Sequence, residues 1–259
     1  TTHSCSGKIQ FGDRLYHCWK TNGHGKMDVT NAIKESCDVF FYEISKKIGI
    51  DRIAKVAQDF GLGKIYNIPL SNQKLGIIPS KKWKKQKLGE SWYPGETLIS
   101  AIGQGFVLAN PLQLANMTAI IASDGNIVEP KIINDNKKSD FENLKKYSEA
   151  IKIVKKSMFK VVNENKGTAF KSKSEEVVFA GKTGTSQVRR ITVAERESED
   201  FRKKEVEWNK RDHALFVGYM PHDKPKYAIS VVIEHGGSGA STAAPIAKQI
   251  FQFVNKIET

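Results

Sequence analysis

The sequence predicts an α+β domain in which helices flank an antiparallel sheet. Segments with helical apolar spacing dominate the chain up to residue 163, whereas residues 177–185, 213–220 and 226–234 have the apolar runs typical of strands. A turn between Pro221 and Pro225 separates the last two strands, which favours an antiparallel hairpin. An amphipathic helix over residues 245–257 follows. Helices and strands that segregate along the chain indicate layers of helix on sheet.

Local signals place the other elements. The predicted elements are, in order, a hairpin over 5–18, a turn at 23–25, helices over 28–35, 39–47 and 51–60, irregular Lys-rich chain over 62–95, a helix over 111–122, a strand over 127–133, a helix over 148–163 and an exposed charged segment over 189–212. Gly12-Asp13 marks the hairpin turn, Asp28 is an N-cap, and Pro111 stands at a first helical position. The predicted buried face of the helix over 148–163 consists of Ile151, Ile153, Val154, Met158, Phe159 and Val162.

The composition excludes several classes of protein. The chain is 39% hydrophobic and 27% charged over 259 residues, unlike disordered, collagen-like or coiled-coil proteins. Its net charge of +13 comes mainly from lysine, while arginine is scattered and no aromatic stacking motif is visible, so we expect no nucleic-acid partner. No run approaches the roughly 18 consecutive apolar residues of a membrane span. Because the chain begins at Thr1 without an initiator Met, we expect it to be the tail of a longer polypeptide.

The sharpest chemical signal is the segment Lys182-Thr183-Gly184-Thr185 on the strand predicted at 177–185. An ammonium, two hydroxyls and a glycine that leaves the strand edge clear suit a ligand that carries a carboxylate. A second segment, Ser36-Cys37-Asp38, lies at the junction of two predicted helices, and Gly167-Thr168-Ala169 precedes the strand.

Several further strings occur together with these segments in a fixed order. They are Gly23-His24-Gly25, Asp38-Val39-Phe40-Phe41-Tyr42, Trp92-Tyr93-Pro94-Gly95-Glu96-Thr97, Ile102-Gly103-Gln104-Gly105, Asn110-Pro111-Leu112-Gln113, His213-Ala214-Leu215-Phe216 and Ala243-Ala244-Pro245-Ile246. With this set, the sequence resembles the transpeptidase domain of penicillin-binding proteins, and within them the elongation-type penicillin-binding protein 2 branch. The likeness extends over nearly all of residues 1–259, which would form the C-terminal portion of that domain, with the fold incomplete on its N-terminal side.

The resemblance implies a serine acyltransferase that cross-links peptidoglycan stem peptides and is acylated by β-lactams. Lys182 and the hydroxyls of Thr183 and Thr185 would hold the terminal carboxylate of the ligand, and the Thr185 N–H would donate to the oxyanion. Ser36 would relay a proton toward the leaving amine. Asp38 replaces the usual asparagine of the second motif and would orient the catalytic lysine.

The sequence departs from the family at the nucleophile. A Ser-x-x-Lys motif belongs several tens of residues before Ser36, and residues 1–35 contain none. Two such strings, Ser71–Lys74 and Ser157–Lys160, come after Ser36 and are interpreted as background. We therefore expect the nucleophile upstream of Thr1. The alternatives are a non-catalytic module that binds stem peptides or a partner, and a relative of the serine β-lactamases.

Three cysteines and a histidine near the amino end form a candidate metal site. Cys5, Cys18, His24 and Cys37 offer the thiolate and imidazole ligands of a tetrahedral zinc, which would brace the Ser36 segment without acting as a Lewis acid. The alternative is a Cys5–Cys18 disulfide across the hairpin, with Cys37 a buried thiol. No cofactor is expected for catalysis.

The resemblance also implies partners and a location. The expected partners are peptidoglycan stem peptides, β-lactams, a glycosyltransferase and the scaffold proteins of the elongation complex. The expected location is the periplasmic face of the bacterial inner membrane, reached through an anchor outside these residues.

Overall fold

The computed structural model describes residues 1–133, 142–189, 191, 195 and 206–258. Near the amino end, β2 (Lys8–Phe11) and β3 (Arg14–His17) form the predicted hairpin. A second pair, β1 (Thr2–Cys5) with β4 (Gly25–Asp28), is antiparallel and was not predicted, because its partners are distant in sequence and each strand has only four residues. Close backbone packing joins the two pairs: a Cβ at Gly23 would lie 2.1 Å from the carbonyl oxygen of Cys5. The Cys18 N–H also donates to the Gly7 carbonyl at 2.8 Å, so the strand ends near Cys5, Cys18 and His24 are held together.

Three helices follow as predicted: α1 (Val29–Glu35), α2 (Asp38–Ile48) and α3 (Ile50–Asp59). The Asp28 carboxylate caps α1 by accepting from the Asn31 N–H at 2.8 Å. At the other end of α1, Ser36 adopts the left-handed conformation with φ 55° and ψ 52°. This conformation ends α1 sharply and lets α2 begin two residues later.

The prediction of irregular chain over 62–95 is wrong in its second half. The structure has two helices there, α4 (Lys81–Leu88) and α5 (Pro94–Ala101). Ser80 caps α4 by accepting from the Trp83 N–H at 3.0 Å. The sequence of α4 is mostly lysine and lacks an apolar period, so its pattern gave no helical signal.

Helices α6 (Pro111–Ala122) and α7 (Ser148–Asn163) confirm the next predicted helices, but the strand expected at 127–133 is wrong. Only an isolated bridge between Asn126 and Asn143 forms near it among the described residues. The buried face of α7 includes Ile151, Met158 and Val162, as predicted, whereas Ile153 is 41% exposed. The apolar spacing of α7 is thus compatible with a face rotated from the one predicted.

The central sheet is antiparallel in the order β5-β6-β7, formed by β5 (Ala180–Ser186), β6 (His213–Met220) and β7 (Tyr227–Ile233). One core cluster joins Phe216 of this sheet to Phe251 of the terminal helix α8 (Ala244–Glu258). Another joins Tyr219 to Met158 of α7 and Ala122 of α6. Helices therefore cover the sheet, which confirms the predicted α+β fold.

Most of the charged segment predicted at 189–212 lies outside the described residues; of the described ones, 207–211 are exposed, as expected, whereas 189, 191, 195, 206 and 212 are partly buried. Within the described part of the chain, no helix combines the length and apolar character needed to cross a bilayer.

Candidate active site and metal centre

The fold brings Ser36 and Lys182 into direct contact although 146 positions separate them. The Lys182 ammonium donates to the Ser36 hydroxyl oxygen at 2.9 Å and to the Thr183 carbonyl at 2.8 Å. The left-handed end of α1 presents Ser36, and β5 presents Lys182. The two predicted motifs therefore meet at one point between a helix end and a sheet.

Lys182 is half-buried, and two opposing effects set its pKa. Burial lowers the pKa of Lys182 from its ordinary value to about 8, and the negative charge of Asp38 acts in the opposite direction. The side chain is therefore still mainly protonated at neutral pH. It can serve as a cation for a ligand carboxylate.

Asp38 is the first residue of α2, two positions after Ser36. One of its carboxylate oxygens accepts from the backbone N–H of Trp19 at 2.9 Å. The pKa of Asp38 is raised to about 7, mainly by burial and also by the charge of Cys18, while the hydrogen bond from the Trp19 N–H acts in the opposite direction. Asp38 thus acts on Lys182 through its charge and on the hairpin through a hydrogen bond.

The ligand strand, as we call β5 because it carries the predicted carboxylate-binding residues, has two threonine hydroxyls in different surroundings. The Thr183 hydroxyl lies 2.7 Å from that of Thr168, whereas Thr185 is exposed at the end of the strand. The Thr185 carbonyl accepts from the Gln104 side-chain amide at 3.0 Å. Behind Gly184, a Cβ at Gly239 would lie 2.2 Å from the Gly184 carbonyl oxygen, so the segment after β7 packs directly on β5.

Thr168 and Gln104 are site residues to which the sequence assigned no role. Both stood in strings that carried the resemblance, and Gln104 is flanked by Gly103 and Gly105. A polar side chain between two glycines is the only local signal that could have singled it out.

The serines of the two downstream Ser-x-x-Lys strings, Ser71 and Ser157, do not contact Lys182 in the described residues. Ser157 is fully buried in α7, where its hydroxyl donates to the Ile153 carbonyl at 2.7 Å. Ser71 is exposed in a turn next to Asn72, which has a positive φ of 61°. Ser36 is the serine that the described residues place against Lys182.

Cys5, Cys18, His24 and Cys37 converge on one point beside this site. One ligand atom from each lies within 4.8 Å of the others. The His24 Nδ1 is 3.6 Å from the Cys5 sulfur and 3.5 Å from the Cys18 sulfur. All three cysteines are free thiols, so the alternative Cys5–Cys18 disulfide does not form in this structure.

The dimensions of this cluster suit a tetrahedral ion. In a tetrahedral site, zinc bonds of about 2.0–2.3 Å to one nitrogen and three sulfurs place the ligand atoms about 3.6–3.8 Å apart. The sulfurs also influence each other: a hydrogen bond from Cys37 is the main reason that the pKa of Cys18 falls to about 4, while the pKa of Cys37 is raised. The arrangement favours thiolate at the centre of the cluster.

Comparison with known proteins agrees with this geometry. The family model for the penicillin binding protein transpeptidase domain matches residues 1–252. The chain belongs to the penicillin-binding protein transpeptidase family. The peptidoglycan D,D-transpeptidase MrdA of Haemophilus influenzae is 34% identical over 251 residues, which cover 93% of this chain and 38% of that protein.

Solved structures of penicillin-binding proteins share the fold. A complex between penicillin-binding protein 2 and MreC from Helicobacter pylori has a TM-score of 0.85 and 31% identity, covering 100% of this chain and 45% of that chain. A peptidoglycan synthase complex that coordinates polymerization and crosslinking has a TM-score of 0.80 and 31% identity, covering 98% and 42%. This penicillin-binding protein chain thus spans about two fifths of the length of the curated relatives it matches.

Proposed function

We propose that this chain is the C-terminal part of the transpeptidase domain of a D,D-transpeptidase that cross-links peptidoglycan stem peptides during cell-wall elongation. The observation that carries the proposal is the hydrogen bond between Lys182 and Ser36 beside β5. A cation with a depressed pKa, a hydroxyl within its reach and a strand end that is exposed at Thr185 form a site for a peptide carboxylate and its neighbouring amide.

In this proposal, Lys182 and the Thr183 and Thr185 hydroxyls bind the carboxylate of a stem peptide or β-lactam. The Thr185 N–H donates to the developing oxyanion, a role worth about 3–4 kcal/mol in other acyl-transfer enzymes. Ser36 passes a proton between Lys182 and the leaving amine, which the 2.9 Å contact supports.

The acylated serine of this proposal lies in a Ser-x-x-Lys motif outside these 259 residues. The burial of Ser157 and its bond to a helix carbonyl support this placement, because neither is compatible with a nucleophile. Asp38 orients the lysine of that motif through its charge.

We also propose that Cys5, Cys18, His24 and Cys37 bind a structural zinc ion. The convergence of four ligand atoms within 4.8 Å supports it. Because Cys37 lies between Ser36 and Asp38, the ion would fix the segment that carries both side chains. Its role is to hold this loop, and we assign it no step in acyl transfer.

The partners and location follow from the same proposal. A glycosyltransferase and a scaffold protein of the elongation complex are the proposed partners, since the similar solved structures include a complex with MreC and a peptidoglycan synthase complex. The proposed location is the periplasmic face of the inner membrane.

The test is the intact mass of the protein that carries this chain after incubation with benzylpenicillin. We expect one covalent adduct, mapped by peptide mass to a serine outside residues 1–259, and strongly reduced acylation in Lys182→Ala. Lys171→Ala, which removes an exposed lysine to which the site assigns no role, is the matched control. Reversible binding without an adduct would favour the non-catalytic module, and an adduct on Ser36, Ser71 or Ser157 would refute the proposed nucleophile.

A further inference from the structure

Gln104 connects the loop after α5 to the ligand strand. Its backbone N–H donates to the Ile99 carbonyl at 3.1 Å, and its side-chain amide donates to the Thr185 carbonyl at 3.0 Å. The flanking residues Gly103 and Gly105 both have positive φ, at 76° and 70°. The backbone is thus held to the helix end while the side chain reaches 81 positions along the sequence to β5.

The Thr185 carbonyl is an acceptor that an extended ligand would need. Thr185 is exposed near the end of β5, three residues after Lys182. A peptide that places its carboxylate at Lys182 and runs along this strand pairs its amide N–H groups with strand carbonyls, as in other cases where a peptide adds to a sheet. In the structure, the Gln104 side-chain amide donates a hydrogen bond to one of these carbonyls, that of Thr185.

We propose that Gln104 determines which ligands the site accepts, because its side-chain amide competes with a ligand amide for the Thr185 carbonyl. This inference rests on the proposed function and deepens it. Ligands with an acylamino N–H replace one amide donor by another at this carbonyl. Ligands that lack the N–H leave Gln104 in place.

The expected effect is modest, since the contact is exposed. A neutral hydrogen bond of this kind changes an equilibrium by about two- to tenfold. Removing the competing donor should therefore increase binding of acylamino ligands by that factor. Binding of ligands without the acylamino group should not change.

The experiment uses the intact protein that carries this chain and the variant Gln104→Met, which keeps the side-chain volume but removes the donor. Second-order acylation constants are measured with benzylpenicillin, which has an acylamino N–H, and with a carbapenem, which lacks one. Gln249→Met makes the same change at an exposed glutamine on α8 and is the matched control. Thermal melting of each variant confirms that it is folded.

We expect Gln104→Met to raise the benzylpenicillin constant about two- to tenfold and to leave the carbapenem constant unchanged. A parallel change with both ligands would overturn the proposal, because it would assign Gln104 only to holding the loop. A selective fall with benzylpenicillin would also overturn it, since Gln104 would then assist binding.

A second measurement separates this inference from the proposed function. In the ¹⁵N-labelled protein, the Gln104 side-chain amide signals are assigned by their loss in Gln104→Met, and an N-acylated D-Ala-D-Ala dipeptide is added. A shift of these signals toward those of a free amide supports displacement, and unchanged signals on a bound protein refute it. If neither β-lactam acylates the wild type, the proposed function fails, and this titration alone decides the role of Gln104.

Discussion

The ammonium of Lys84 on α4 lies 2.5 Å from the Glu96 carboxylate on α5, with only 1% of the lysine side chain exposed. Glu90 lies 3.3 Å from the same ammonium, and the Tyr93 ring is 4.5 Å away. Burial by itself would lower the pKa of Lys84, but the two carboxylates raise it above its ordinary value. This ion pair joins α4 to the helix whose end positions Gln104.

Replacing Lys84 should therefore loosen the connection between α4 and α5. We expect Lys84→Met to lower Tm by roughly 5 °C, because it leaves the Glu96 carboxylate without its cation. The neighbouring exposed residue gives the control, Lys82→Met, which should melt within a degree of the wild type. Equal melting of Lys84→Met and the wild type would show that the pair adds nothing to stability.

The depressed pKa of Lys182 predicts a pH dependence of ligand binding. Because the protonated form binds the carboxylate, acylation by benzylpenicillin should decline as pH rises through about 8. The folded pKa lies below that of the unfolded chain, so this group adds stability as pH rises from about 8 toward its ordinary value and subtracts it below. Above about pH 8, we therefore expect slower acylation together with a larger free energy of unfolding.

The control for this profile is Lys182→Arg, whose guanidinium stays charged. We expect its acylation to be slower but to lose the decline above about pH 8. A decline of the same size in Lys182→Arg would assign the titration to another group.

Ser36 combines a backbone role with a side-chain role, and two substitutions separate them. Ser36→Gly suits the positive φ of 55°, whereas Ser36→Ala keeps the strain of a left-handed residue with a Cβ. We expect the glycine variant to be more stable than the alanine variant by about 1 kcal/mol in urea unfolding. Both should lose acylation, since each removes the hydroxyl that accepts from Lys182. Retained acylation in the glycine variant would exclude proton relay by Ser36.

The cysteine–histidine cluster predicts zinc in protein purified without chelator. Metal analysis should give about one zinc per chain, and removal by a strong chelator should lower Tm. His24→Ala should lose the metal, while His17→Ala, which changes a histidine outside the cluster, should keep it. A metal-free protein with a mass two daltons below the reduced value would instead identify a Cys5–Cys18 disulfide.

Local signals in the sequence predicted the elements whose ends carry caps or whose faces are periodic. Asp28 and Pro111 each mark a helix start that the structure has at the same place. The α4 helix was missed because its stability depends on a Ser80 cap and a lysine buried by acidic and aromatic neighbours, which periodicity does not detect.

The candidate site was predicted where motifs recur as short strings and missed where it depends on distant contacts. The sequence singled out Ser36 and Lys182, and the structure brings them together. The pairing of β1 with β4 and the contact from Gln104 to Thr185 join residues that no local pattern relates. Such contacts follow from the tertiary arrangement alone.

Residues 36, 37 and 38 each serve a different partner. Ser36 accepts from Lys182, Cys37 belongs to the metal-ligand cluster, and Asp38 accepts from the Trp19 backbone. Each of the three residues between the end of α1 and the start of α2 therefore has a contact of its own. An insertion or deletion of one residue here would misalign all three contacts at once, whereas a substitution would remove only one of them.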